Sequence, residues 1–203
     1  MIAIVDYKVG NVKAFANVYR ALDIPFVIAE NPGQLAGASK LILPGVGAFD
    51  HTMRQLDASG MRETLDEMVL EDGIPVLGVC VGMQMLARSS DEGDEPGLGW
   101  IDGHVVKFRS SAESPLAVPH MGWNDVHPSG RHVLFDGLEQ EARFYFLHSY
   151  FFKADEASTV LATSAYGESF ACAVGQRNVF GVQFHPEKSH GWGSRLLKNF
   201  ADC

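Results

Sequence analysis

Residues Pro75-Val76-Leu77-Gly78-Val79-Cys80-Val81-Gly82-Met83-Gln84 most restrict how this chain can fold. Apolar residues of strand character run into Gly-x-Cys-x-Gly. Val81 to Arg88 then reads as a helix, with Met83, Leu86 and Ala87 on one side. A buried strand that turns at once into a helix, with a thiol at the corner, is the backbone solution that places a serine at the top of an α/β-hydrolase sheet. There the small flanking residues relieve crowding, and the next N–H, here that of Val81, faces a developing oxyanion. The positive end of the following helix favours thiolate over thiol, which makes Cys80 a candidate nucleophile. Read without its glycines, a cysteine after a strand is a small hydrophobe, so the rest of the chain must decide.

The first half alternates strand and helix. Ile2 to Val5 is an apolar run of strand type, and Asn11 to Leu22 has Val12, Phe15, Ala16, Tyr19 and Leu22 at helical spacing behind an Asn11 N-cap. Phe26 to Ala29 and Lys40 to Leu43 read as further strands, followed by helices over His51–Leu56 and Met61–Leu70. Strand, helix and strand in succession predict parallel pairing with helices on both faces. From Gly97 the pattern turns β-rich, with short strands over His104–Phe108, Pro119–Val126, Arg143–Phe152, Val160–Ala165, Phe170–Val174 and Val179–Phe184. A closing helix over Trp192–Phe200 ends the chain. The expectation is an α/β fold in one domain, 1–203, with a mostly parallel central sheet flanked by helices and a β-rich second half.

Two further stretches bear on Cys80. Pro44-Gly45-Val46-Gly47-Ala48-Phe49 follows a strand, and its glycines allow positive φ and close approach of backbone N–H groups to a ligand. In an open parallel sheet, ligands bind beyond the carboxyl ends of strands, where both this loop and Cys80 fall. Val182-Gln183-Phe184-His185-Pro186-Glu187 places a histidine and a carboxylate two residues apart. In an extended backbone they project to the same side. A carboxylate on one ring nitrogen fixes the tautomer while the other takes a thiol proton, so a Cys80, His185 and Glu187 relay is available.

Together these stretches resemble the class I glutamine amidotransferases, over nearly the whole chain. The matching residues are Asp6-Tyr7, Gly10-Asn11, Pro44 to Phe49, Gly78 to Gln84, Gly97 to Gly99, Pro119 to Asn124, His148 to Tyr150 and His185 to Ser189. Pro119-His120-Met121-Gly122-Trp123-Asn124 and His185-Pro186-Glu187-Lys188-Ser189 resemble the branch serving histidine biosynthesis. The resemblance implies that Cys80 attacks the side-chain amide of L-glutamine, with His185 as proton carrier and Glu187 as its orienter. It also implies an oxyanion hole from the backbone of Val46, Gly47 and Val81, and glutamine binding by Gln84, Glu92, Ser149 and Tyr150. No cofactor is expected. Ammonia would pass to a (β/α)8-barrel cyclase making imidazole glycerol phosphate, docked near His120, Trp123 and Asn124 in a heterodimer; an isolated chain would be a poor glutaminase.

Val81, where leucine is more usual, and Ser189-His190-Gly191-Trp192-Gly193 depart from that branch and leave the ammonia acceptor open. A related glutaminase amidinating a surface-polysaccharide sugar is the alternative, and a non-catalytic regulatory subunit is a more distant one. The composition narrows the field. The net charge of -9 over 203 residues, without a basic run, speaks against nucleic-acid binding. The start Met1 to Asp6 lacks signal-peptide character and no run is long enough to span a membrane, so the expected residence is the cytoplasm. Three scattered cysteines fit neither a disulfide framework nor a zinc cluster, and the histidines lack compact metal-ligand spacing.

Overall fold

A computed structural model describes residues 1–110 and 115–203. The first half runs β1 (Ile2–Val5), α1 (Val12–Ala21), β2 (Phe26–Ala29), β3 (Lys40–Gly45), α2 (Phe49–Ala58), α3 (Arg62–Asp66), β4 (Val76–Cys80), α4 (Val81–Gln84) and β5 (Ser89–Ser90). The second half runs β6 (Gly103–Lys107), β7 (His120–Asp125), β8 (His127–Pro128), β9 (Arg143–His148), β10 (Tyr150–Ala154), β11 (Val160–Tyr166), β12 (Glu168–Gln176), β13 (Val179–Val182) and α5 (His190–Asp202).

Strands lie in the order β2-β1-β3-β4-β13-β12-β10-β6-β5, and β11 and β8 extend the sheet from β12. The pairs from β2 through β13 are parallel, while β12 pairs antiparallel with β13 and β10, and β10 antiparallel with β6. The fold is therefore mixed α/β, parallel in the half that carries Cys80. β4 lies between β3 and β13 with all five residues buried, because a parallel strand covered on both faces has no side for polar groups. On α1, Phe15, Ala16 and Tyr19 face the core, and the Asn11 side chain accepts from the Ala14 N–H at 3.3 Å, capping the helix as its position suggests.

Three sequence expectations change. The helix read over Val81–Arg88 is only four residues long, because the chain turns back to pair β5 with β6. Met61–Leu70 divides into α3 and a wider π turn over Glu67–Glu71. The continuous strand read over Arg143–Phe152 is two strands that part at Ser149: β9 pairs with β7 in a separate two-stranded ribbon, and β10 rejoins the main sheet. No helix among the described residues is long and apolar enough to cross a membrane.

Candidate active site

Cys80 sits where β4 meets α4, with φ 57° and ψ −113°. A side chain in that region is strained, and the neighbouring packing holds it there. A Cβ on Gly82 would lie 1.9 Å from the Leu43 carbonyl oxygen, so α4 presses directly against the backbone of β3. As the first residue of a helix, Val81 has an N–H without an intrahelical acceptor. Opposite, Gly47 takes φ 98° and Val46 is exposed. The buried Tyr7 hydroxyl donates to the Pro44 carbonyl at the base of this loop. Burial, then the proximity of Cys80, pushes the Tyr7 phenol far up, so it remains a donor.

Val46, Gly47, Cys80, Val81, Gln84, Glu92, Ser149, Tyr150 and His185 line one cleft of about 250 Å³. Pro119, Leu147, His148 and Lys188 complete its wall. The turn carrying His185 is tied to β9 by two bonds, the His185 N–H donating to the Tyr145 carbonyl at 2.8 Å and the Tyr145 N–H to the Ser189 hydroxyl at 3.0 Å, and is closed on itself by the Ser189 hydroxyl donating to the His185 carbonyl at 2.6 Å.

His185 Nδ1 lies 2.9 Å from Glu187 Oε1, with both side chains buried. Strand alternation does not produce this pairing. β13 ends at Val182, and Pro186–Lys188 forms a 3-10 turn with proline at its start. Proline's fixed φ suits that position, and the tight turn folds the carboxylate back under the ring. Glu187 Oε2 is buried with no hydrogen-bond partner among the described residues. Burial works against a charge on His185, but its interactions with Cys80 and then Glu187 outweigh this and lift the imidazole to about 10. An imidazolium held between Cys80 and Glu187 is the charge state this arrangement favours for His185. Of the other cysteines, Cys172 is buried, which pushes its thiol up, and Cys203 is exposed at the chain end.

Around this centre the residues differ in what they offer a ligand. Gln84 gives both hydrogens of its amide to the protein, one to the Tyr150 carbonyl at 3.0 Å and one to Gln183 Oε1 at 3.0 Å, which leaves its Oε1 for a ligand. Glu92 Oε2 accepts from the Phe49 N–H at 2.8 Å, holding its loop against the start of α2. Ser149 stands at the break between β9 and β10.

His120 does not present its ring to a surface. It is 3% exposed and stacks between Phe146, at 4.8 Å, and Tyr166, at 4.1 Å. It also meets His148 Nε2 at 2.9 Å. Asn124 is turned inward too, donating to the Ala165 carbonyl at 2.9 Å and lying 3.2 Å from His120 Nε2. β7 alternates, so even-numbered side chains point in and Met121 and Trp123 point out. Trp123 lies flat on His190 at 5.4 Å and, with Trp192 and Arg195, lines a second cleft of about 540 Å³. Gln183, unnoticed in the sequence, is fully buried with Nε2 3.8 Å from Cys80 Sγ. Its position two residues before His185 was the available signal.

The family model described as glutamine amidotransferase class-I matches residues 3–203. Among curated proteins, the chain is 60% identical to imidazole glycerol phosphate synthase subunit HisH of Bdellovibrio bacteriovorus, over 100% of both chains. It is 51% identical to the subunit of the same name from Leptospira interrogans, over 99% of each. A solved glutamine amidotransferase superposes with a TM-score of 0.74 at 20% identity, covering 99% of this chain and 97% of that one. Another, from Thermotoga maritima, gives 0.66 at 19% identity, covering 99% and 82%. At those identities the structures speak for the fold.

Proposed function

Because this chain belongs to the class I glutamine amidotransferases, we propose that it hydrolyses L-glutamine to glutamate and ammonia as a subunit of imidazole glycerol phosphate synthase in histidine biosynthesis. We read 1–203 as one glutaminase domain. The observation that carries the chemistry is a single cleft holding Cys80 on a strained corner, the buried His185 and Glu187 pair, and the Val46-Gly47 loop.

In this reading the Cys80 thiolate adds to the amide carbon of glutamine. The negative charge moves to the amide oxygen, where the N–H groups of Val81 and of the Val46-Gly47 loop receive it; one good donor of this kind contributes about 3–4 kcal/mol. His185, already an imidazolium, gives its proton to the amide nitrogen, so ammonia leaves and a γ-glutamyl thioester remains. His185 is now neutral and takes a proton from water as that water attacks the thioester, releasing glutamate and the thiolate. Glu187 supports the imidazolium and holds the tautomer throughout. Gln84 Oε1, Glu92, Ser149 and Tyr150 hold the amino-acid end of the substrate.

Ammonia released into neutral water is mostly protonated and no longer nucleophilic, so it must pass directly to an acceptor site. The exposed apolar residues Val46, Met121, Trp123 and Leu147 give the partner a surface: Met121 and Leu147 are cross-strand neighbours, and Val46 and Leu147 also wall the cleft. A (β/α)8-barrel cyclase docked there as a heterodimer, in the cytoplasm, would receive ammonia and press on the Gly47 loop, favouring the conformation that aims its N–H inward. The names of the relatives favour the histidine-pathway acceptor over a surface sugar. Glutamine hydrolysis measured with and without the cyclase tests the reading. Turnover that rises with the cyclase and disappears in Cys80→Ala supports it. Equal turnover with and without cyclase removes the partner's role, and unchanged turnover in Cys80→Ala removes the nucleophile.

A further inference from the structure

The amides of Gln183 and Gln84 form an oriented relay that ends on the nucleophile. The Tyr150 carbonyl can only accept, so the end of Gln84 that faces it, 3.0 Å away, is the NH2 group. The second hydrogen of that group needs an acceptor, so Gln183 presents Oε1 to it, also at 3.0 Å. Gln183 Nε2 is then left facing Cys80 Sγ at 3.8 Å. The polarity of the chain is fixed at its far end and arrives at the sulfur as a donor. His148 Nδ1 lies 2.8 Å from the same Tyr150 carbonyl, which anchors it from the other side.

We infer that Gln183 is a further catalytic residue: its side-chain N–H stabilises the Cys80 thiolate, and Gln84 with the Tyr150 carbonyl is the arm that aims it. The inference rests on the reading of Cys80 as the glutaminase nucleophile. A thiolate accepts a hydrogen bond more strongly than a thiol, so a donor held at the sulfur favours ionisation. The Leu147 carbonyl, also 3.8 Å from Sγ, is an acceptor and favours the thiol; Gln183 opposes it. The other polar and charged groups around the sulfur are His185 backed by Glu187, the Tyr7 phenol, neutral His148, and Lys188 and Glu92 on the cleft wall. Being fully buried, Gln183 makes its bond away from competing water. When sulfur attacks, its charge passes to the oxyanion and this bond weakens. Gln183 therefore acts on how much nucleophile is present.

The test is the pH dependence of Cys80 alkylation by iodoacetamide in the full chain, read by peptide mass so that the exposed Cys203 does not interfere. Gln183→Met removes the donor at similar volume. Gln183→Glu still accepts from Gln84 but turns an oxygen toward the sulfur. The alkylation midpoint should rise by about one pH unit in Gln183→Met, the size of effect of a hydrogen bond to a charged group, and further in Gln183→Glu. An unchanged midpoint in Gln183→Met, with or without a shift in Gln183→Glu, overturns the inference. Thermal melts show whether each variant folds. Should neither fold, the 15N side-chain amide resonance of Gln183 in the wild-type chain decides: it should move when Cys80 is alkylated, and a fixed resonance overturns the proposal. Alkylation reports on the sulfur whatever the substrate, so failure of the glutaminase reading appears separately, as absent glutamine turnover in the cyclase complex.

Discussion

His120 Nδ1 and His148 Nε2 meet at 2.9 Å in a buried, neutral chain of hydrogen bonds. The Tyr150 carbonyl fixes the proton on His148 Nδ1, so His148 Nε2 accepts from His120 Nδ1, and His120 Nε2 accepts from Asn124 Nδ2. Burial lowers His120 to about 4. Burial lowers His148 further, to about 3, and the nearby His120 and His185 add to the shift against the Tyr150 carbonyl. Below about pH 6.5 the unfolded chain takes up protons that the folded chain refuses. The stability these rings contribute is present above that pH and is lost as pH falls toward 4. The loss from His120 alone should reach on the order of 3 kcal/mol by pH 4. Thermal melts from pH 8 to pH 4 should show the fall, and His120→Phe should flatten it while costing about 1–3 kcal/mol at pH 8 through the polar groups left unpaired. Equal acid slopes in the two proteins would rule this out.

The alkaline side has the opposite sign. His185 is raised to about 10, so its contribution is complete below about pH 6.5 and drains away as pH rises through 10. Glu187→Gln removes one of the groups holding the proton. In the assembled complex its kcat should fall by a factor on the order of 100, less than the roughly 10⁴ seen where a serine must be deprotonated, since a thiol gives up its proton far more readily than a hydroxyl. The alkaline limb of its kcat profile should move to lower pH. A smaller kcat with the limb in its original place would mean that Glu187 only supports the turn.

Gly82→Ala tests the packing behind the strained corner. Its Cβ would fall 1.9 Å from the Leu43 carbonyl oxygen, an atom of a central strand that cannot turn aside. A loss of about 3 kcal/mol or more is expected, at or above the upper range for overpacked cores, measured as a lower denaturant midpoint. Wild-type stability in that variant would show that α4 can move off β3 and that the corner is not held as described.

The corner itself was readable in the sequence because glycine on both sides of a thiol has few packing explanations, and the parallel half because strands and helices alternate there at clear spacing. The link between His185 and Glu187 was legible as a contact but not as a geometry: two residues apart fits both a strand and a 3-10 turn, and Pro186 settles it for the turn only once β13 is seen to end at Val182. Periodicity could not divide Arg143–Phe152, since β9 and β10 are both apolar and the break at Ser149 carries no glycine or proline. The resemblance put His120 near the partner interface together with Trp123 and Asn124, but it could not say that alternation along β7 sends the His120 ring inward. For Gln183 the sequence offered only its place two residues before His185, because its bonds to Gln84, and through Gln84 to Tyr150, form only in the tertiary structure.

The central claim is that the sulfur of Cys80 becomes acylated by glutamine. Acid quenching of the cyclase complex during turnover, followed by peptide mass analysis, reads this directly. The account predicts a labile adduct equal to glutamine less ammonia on the peptide containing Cys80, absent from Cys80→Ser. Steady glutamate release with no adduct at Cys80, or the same adduct on another residue, would contradict it.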